Sequence, residues 1–250
     1  KAGLHLVYSQ FRTLEGIGIF SMVLEQNGFA QFRIIKSPAT GKWTIDTAPA
    51  DVGKPCFALY TGTEKREEKE IIRNVFNSNW DVIPPELQTF IANMPDAEYP
   101  VMERVTTNKC AKSKSGKMTR KKSMSTKKGS RKNKPSAAAS RRTQTGNHMG
   151  EIIKLFMITA SGAEGISLKS VRFVHLTEPY WNPIRLEQVI GRARRIFSHE
   201  FLPEELNDVV VFLYIMVFSE HQLTNLASQE LKIKDKGKID IHTPITTDQA

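Results

Sequence analysis

Apolar residues in this chain fall into short continuous blocks, separated by stretches in which they recur at helical intervals. The blocks at residues 3–9 (GLHLVYS), 56–60 (CFALY), 153–158 (IKLFMI), 172–176 and 209–217 predict buried strands, and a shorter strand is predicted over 32–35. Leu14, Ile17, Phe20, Val23 and Leu24 have helical spacing and predict a helix over 13–27, closed by Asn27-Gly28. A second helix is predicted over 63–77. Thr63 is its expected cap, with Glu64, Glu67 and Glu68 in its first turns and Ile71, Ile72, Val75 and Phe76 as its buried stripe. Further helices are predicted over 85–94 and 219–228, and over 182–195 with Asn182 as N-cap and Pro183 in the first turn. Residues 37–54, rich in Pro, Gly and Thr, read as a loop. Buried strands alternating with helices indicate an α/β fold, a parallel sheet with helices on both faces. In such sheets the working residues gather at the carboxyl ends of strands, so the chemistry is expected at that rim.

Charge changes the picture in one place. The chain carries 36 Lys and Arg against 26 Asp and Glu, but 14 of the basic residues and none of the acidic ones lie between positions 106 and 150. The rest then holds 22 basic against 26 acidic residues and is mildly acidic. This Lys/Ser/Arg run has almost no apolar content and is expected to be disordered. Three readings of it stay open: non-specific contact with nucleic-acid phosphates, a solvated loop, or nuclear targeting through Arg120-Lys121-Lys122. It carries few aromatics, so base stacking is not expected of it. The resulting division is 1–78 and 151–230 as two parts of one domain, 79–150 as an insertion, and 231–250 as the start of an extension. The chain reads as a piece of a longer protein. Two cysteines, Cys56 and Cys110, form no disulfide framework and suit a reducing, intracellular setting. No apolar stretch approaches 18 residues, so no membrane span is expected.

Candidate chemistry concentrates late in the chain. Gln188, Arg192 and Arg195 stand at i, i+4 and i+7, within roughly 60° of one another on a helix face. Val189, Ile190 and Ala193 supply the opposite, buried side, and Gly191 removes bulk beside the polar face. An amide and two forked guanidiniums suit a polyphosphate, because Arg binds phosphate oxygens bidentately. By itself the pattern also fits a basic surface helix. The preceding loop at 159–168 holds two glycines and two serines, whose backbone N–H groups can approach phosphate closely. The six histidines are dispersed without metal-ligand spacing, and His199 is expected to position the arginine helix rather than to catalyse. None of the four Gly-Lys dipeptides has the spacing of a phosphate-binding loop, and no Asp-Glu pair occurs.

These segments together resemble a known family. QVIGRARR (188–195) resembles motif VI of superfamily 2 helicases, and TASGAEGISL (159–168) resembles their motif V. EPYWNP (178–183) is similar to the DPxWNP segment of the Swi/Snf-type branch. LVYSQF (6–11) resembles motif IV, and residues 60–76 resemble the glycine-then-helix segment that follows it. The order is the family's, and the wording of 158–203 is similar to helicases of large nucleocytoplasmic DNA viruses. The resemblance implies a RecA-like second lobe that closes over ATP and Mg²⁺ held mainly by an N-terminal helicase lobe of the same protein. It implies Arg192 and Arg195 on the γ-phosphate with Gln188 beside them, and Gly165, Glu164, Ser167 and Gly191 around the nucleotide. Ser9, Gln10, Thr61, Gly62, Thr159 and Ser161 would follow the nucleic-acid backbone, DNA rather than RNA. Ser167 stands where many members carry an Asp for the ribose, which puts ribose recognition in question. A viral member would work in a virus factory, host nucleus or virion. The other class of function is a catalytically idle nucleic-acid-binding module acting through the basic run.

Overall fold

A computed structural model describes residues 3–13, 16–95, 97, 146–160, 165–180 and 182–217. Six parallel strands form the main sheet in the order β2-β5-β6-β1-β7-β8. They are β1 (Leu4–Tyr8), β2 (Ala30–Gln31), β5 (Cys56–Tyr60), β6 (Ile153–Ile158), β7 (Val171–Leu176) and β8 (Val210–Leu213). The connecting helices are α1 (Ile17–Gln26), α2 (Arg66–Phe76), α3 (Pro85–Ala92) and α4 (Pro183–Ala193). This is the expected RecA-like α/β architecture.

The strands read as continuous apolar runs because both faces of the sheet are covered. On β1, Leu4, Leu6 and Tyr8 join a core that includes Ile72 and Val75 of α2, Leu87 and Ile91 of α3, and Val189 and Ala193 of α4. Val7 packs in a second core with Ile17 and Leu24 of α1. Ile72, Val75 and Phe76 of the predicted α2 stripe are buried, while Ile71 is half-buried against them.

Several expectations are corrected. The loop predicted over 37–54 contains β4 (Trp43–Ile45), which pairs antiparallel with β3 (Ile34–Lys36). The strand predicted over 32–35 is split accordingly: Ala30–Gln31 enters the main sheet and the rest joins this hairpin. The reason is Trp43, a single buried apolar side chain in a polar stretch that shows no periodicity. Thr63 does not cap α2. The helix starts at Arg66 with no side-chain cap, because Glu64 turns back to accept hydrogen bonds from the Thr61 amide (2.7 Å) and hydroxyl (2.8 Å). The strand predicted over 209–217 pairs only across Val210–Leu213, at a sheet edge where Val211 and Leu213 stay exposed. Residues 79–95 are not a separable insertion, since Ile83, Leu87 and Ile91 lie in the main core. The helix predicted over 219–228, the 231–250 extension and the basic run lie outside the described residues.

The expected disorder up to position 150 is also corrected at its end. Residues 146–150 form a turn built around the fully buried Asn147. Its carboxamide donates to the carbonyls of Phe76 (3.2 Å) and Ile153 (3.1 Å) and accepts from the amides of Ile152 (2.9 Å) and Ile153 (3.0 Å). One side chain therefore registers the start of β6 against the end of α2.

A histidine relay crosses β1, β7 and the chain after β8. His5 Nδ1 lies 2.9 Å from His175 Nε2, and His175 Nδ1 lies 2.8 Å from the Tyr214 hydroxyl. Burial lowers the His175 pKa below its ordinary 6.5, and burial acts in the same direction on His148. The folded state thus prefers the neutral rings. The stability they contribute is fully present above pH 6.5 and is lost as the unfolded chain takes up protons below it. Urea midpoints measured between pH 7.5 and 5.5 should fall with pH, and less steeply in His175→Gln.

Candidate functional site

Two groups of residues stand out, at different ends of the sheet. Tyr60, Ile158, Tyr8 and Leu176 are level across β5, β6, β1 and β7. The residues that follow them, Thr61, Thr159, Ser9 and Thr177, therefore line one carboxyl rim. Ser9, Thr61 and Thr159 are buried there, at 1%, 1% and 3% exposure, whereas Gly62 is exposed and Gln10 half-exposed. The hydroxyls of Ser9 and Thr61 are committed internally. Ser9 Oγ donates to Glu178 Oε1 at 2.6 Å, and the Gln10 amide donates to Glu178 Oε2 at 3.0 Å. Thr61 Oγ1 serves Glu64 and accepts from Arg12 Nε at 3.0 Å. Burial alone would raise the Glu64 carboxyl, but the hydrogen bonds from Thr61 and Thr63 outweigh it and hold its pKa below the ordinary value. Glu64, expected in the first turn of α2, and Glu178, met only within EPYWNP, bond instead to Thr61 and Ser9 at the rim, and Arg12 joins them there, through contacts that no local pattern predicts. Ser161 lies outside the described residues.

Gly16 keeps this rim closed. A Cβ at Gly16 would collide with the Phe11 carbonyl oxygen and Ser9 Oγ. α1 begins at Ile17 and not at 13 because the amides of Ile17 and Gly18 donate to the carbonyls of Phe11 and Arg12, six residues back rather than the four of an α-helix.

The second group is carried by α4 and the loop before β7. Asn182 caps α4 as expected, accepting from the Ile184 amide at 3.0 Å, with Pro183 in the first turn. Val189 and Ala193 are buried, and Gln188 and Gly191 are exposed. Arg192 is half-buried, and its Nε is inaccessible to water and without a hydrogen-bond partner. Among the described residues no carboxylate pairs with Arg192, Arg194 or Arg195. Gly165 and Ser167 are exposed beside them, in a loop tied to the helix by a bond from the Leu168 amide to the Arg192 carbonyl (3.2 Å). Asn77, a buried residue that the sequence reading missed, fixes that loop by donating to the Ser167 carbonyl (2.8 Å) and accepting from the Lys169 amide (2.9 Å). Glu164 and Trp181 lie outside the described residues.

Two expectations about the arginines are corrected. The helix ends at Ala193, not Arg195, because Arg194 leaves helical geometry (φ −103, ψ 65). Arg195 is therefore an exposed turn residue, and the i+7 relation to Gln188 does not hold. Nor do the arginines sit at the carboxyl rim. A crossover helix in a parallel sheet must carry the chain back to the amino end of the next strand. The end of α4 accordingly meets the start of β7, where the Ser170 amide donates to the Ser198 carbonyl at 2.7 Å.

Gly191 has no atom within 4 Å of where its Cβ would stand, although a helical glycine costs about 1 kcal/mol relative to Ala. Among the described residues nothing requires it. Gly191→Ala should raise the stability of the domain by about that amount in urea titrations. A loss of stability would show that the helix surface is not open there.

Residues 105–197 match the family described as helicase conserved C-terminal domain. A termination factor NPH-I homolog of African swine fever virus is 44% identical over 92 residues, covering 36% of this chain and 13% of that protein. A protein of Acanthamoeba polyphaga mimivirus that bears the name ATP-dependent RNA helicase is 31% identical over 98 residues, 36% of this chain and 22% of that protein. Nucleoside triphosphatase I of Choristoneura biennis entomopoxvirus is 30% identical over 95 residues, 38% of this chain and 15% of that protein. The matched part thus spans less than a quarter of the length of these relatives. Among the described residues no helix is long and apolar enough to cross a membrane, and no cluster of three His, Cys, Asp or Glu could hold a metal ion.

Proposed function

We propose that this chain, which carries the helicase C-terminal domain seen in large DNA viruses, is the second motor lobe of an ATP-dependent helicase or translocase and supplies its arginine fingers. The observation that carries the reading is the state of the arginines. Arg192 and Arg195 stand outside the core with no acidic partner among the described residues; Arg192 shares α4 with exposed Gln188 and Gly191, and its carbonyl is tied to the loop that carries exposed Gly165 and Ser167. The Arg192 Nε–H, shut off from water without a partner, favours an anion brought from outside the domain. ATP with Mg²⁺ supplies the phosphoryl group and the metal that neutralises part of its charge, and both are assigned mainly to the other lobe. Arg192 and Arg195 would stabilise the negative charge that spreads over the phosphoryl oxygens in the transition state. Gln188 would hold the same phosphate from the helix, and Gly191 would leave space for close approach. With no phosphate-binding loop of its own, the chain alone is not expected to hydrolyse ATP.

The carboxyl rim is the proposed nucleic-acid face. Because Ser9, Thr61 and Thr159 are buried, contact falls to exposed groups beside them: Gly62, Gln10 and the Arg12 guanidinium. DNA is the proposed track. The basic run would add non-specific phosphate contacts, and neutralising five phosphates would give a salt slope of about −4 to −5 on duplex DNA.

Deleting 106–145 from the full-length protein, which leaves the turn around Asn147 in place, separates this reading from an idle binding module. A motor should keep DNA-stimulated ATP hydrolysis with weakened, less salt-sensitive binding. Complete loss of binding, together with no hydrolysis before or after the deletion, would favour the module.

A further inference from the structure

The chain that follows α4 is held more firmly than a connection requires. Phe197 adopts φ 61, a left-handed conformation that bulky L residues avoid. Its ring gains nothing from burial, being 77% exposed, and Ile196 before it is 86% exposed. Conformations of this kind persist only when their surroundings over-determine them. Here the surroundings are Ser198 and His199, which are 5% and 8% exposed. His199 Nε2 donates to the Val171 carbonyl at 2.7 Å, which leaves Nδ1 to accept. Ser198 Oγ lies 2.7 Å from that Nδ1 and 3.1 Å from the Ala193 carbonyl, so one hydroxyl hydrogen is shared between the two acceptors. The Ser198 amide donates to the Arg195 carbonyl (3.1 Å), and the Ser198 carbonyl accepts from the Ser170 amide (2.7 Å). These bonds fasten the far end of the arginine turn to the start of β7, while Ser198 Oγ and the Leu168 amide hold its near end at the carbonyls of Ala193 and Arg192.

We propose that Ser198 and His199 are positioning residues that hold the turn after α4 rigid, so that Arg192 and Arg195 meet the transferring phosphate in a single orientation. The inference rests on the reading of those arginines as phosphate ligands. A turn whose only task was to connect α4 to the next segment could use glycine and relax. A strained turn, latched by two buried polar side chains and carrying only outward-directed residues, is what placement of those residues demands. Rate is sensitive to such placement: an error of about 1 Å in a catalytic group costs on the order of 10²-fold.

The test uses the full-length motor with saturating DNA, comparing Ser198→Ala, His199→Phe and Phe197→Gly with Arg195→Ala. Ser198→Ala and His199→Phe should lower kcat by roughly 10–100-fold while KM for ATP stays near that of the parent. Ser198→Thr, which keeps the hydroxyl, should recover most of the loss. Phe197→Gly relieves the strained φ but frees the turn, so its kcat should fall although its melting temperature does not. That combination would not arise from a purely structural role, and it decides the question if either latch variant fails to fold. Parental kcat in Ser198→Ala and Phe197→Gly beside an inactive Arg195→Ala would overturn the latch and leave the arginine assignment standing. Full turnover in Arg195→Ala would instead overturn the assignment itself.

Discussion

Replacing Arg192 or Arg195 by Ala in the full-length protein is expected to lower ATP turnover by about 10³–10⁵-fold, the range an arginine finger contributes to phosphoryl transfer. ATP binding should change little, because the interaction strengthens as charge moves onto the phosphoryl oxygens and is weak before that. The two positions differ in kind. Arg192 sits on the last turn of α4 with its Nε enclosed and unpaired, so its guanidinium is already partly stripped of water and directed. Arg195 is exposed in the turn beyond the helix and depends on the backbone there for its direction. Lys should not replace either, since an ammonium lacks the fork that grips two oxygens. Neither change should lower the melting temperature appreciably, because neither side chain fills the core. Steady-state hydrolysis and nucleotide-binding titrations on the same preparations check the expectation. Wild-type turnover in either variant would refute the assignment of that arginine.

The second large effect concerns folding. Asn147→Ala should destabilise the domain by about 4 kcal/mol, taking about 1 kcal/mol for each of the four backbone groups its carboxamide satisfies. Against a total of about 5–15 kcal/mol for a typical domain, that is a large share. Asn147→Asp should be at least as damaging, since it keeps the acceptor but loses both donors and buries a charge. The urea midpoint should drop without a change in slope. A loss below about 1 kcal/mol would mean that water or a rearranged turn replaces the side chain.

Much of the fold was legible because its causes are local. β5 and β6 match their predicted bounds, since a short, mostly apolar run that ends at a threonine has few other solutions. The cap at Asn182 and Pro183 was legible because a side-chain oxygen one residue before a proline can satisfy a helix amide without help from elsewhere. The exposed and buried faces of α4 followed from spacing over 188–193. Its end did not. Whether a helix continues to Arg195 depends on who takes its last carbonyls, and here Leu168 and Ser198 take them from outside the helix.

The amino-acid sequence by itself therefore determined the alternation of strands and helices, the parallel sheet with two covered faces, and the set of chemical groups at hand. Periodicity and composition act on neighbouring residues, and neighbouring residues are all that these features need. Tertiary structure decided the rest. It placed the arginines at the amino end of β7 because the crossover helix must return there, and it buried Ser9, Thr61 and Thr159, which were expected to follow the nucleic-acid backbone. It also made Asn77, Asn147, Ser198 and His199 into fasteners through partners up to 92 residues away. A polar side chain acquires such a role only when folding removes water and brings an unmatched backbone group within reach, and no pattern along the chain records that meeting.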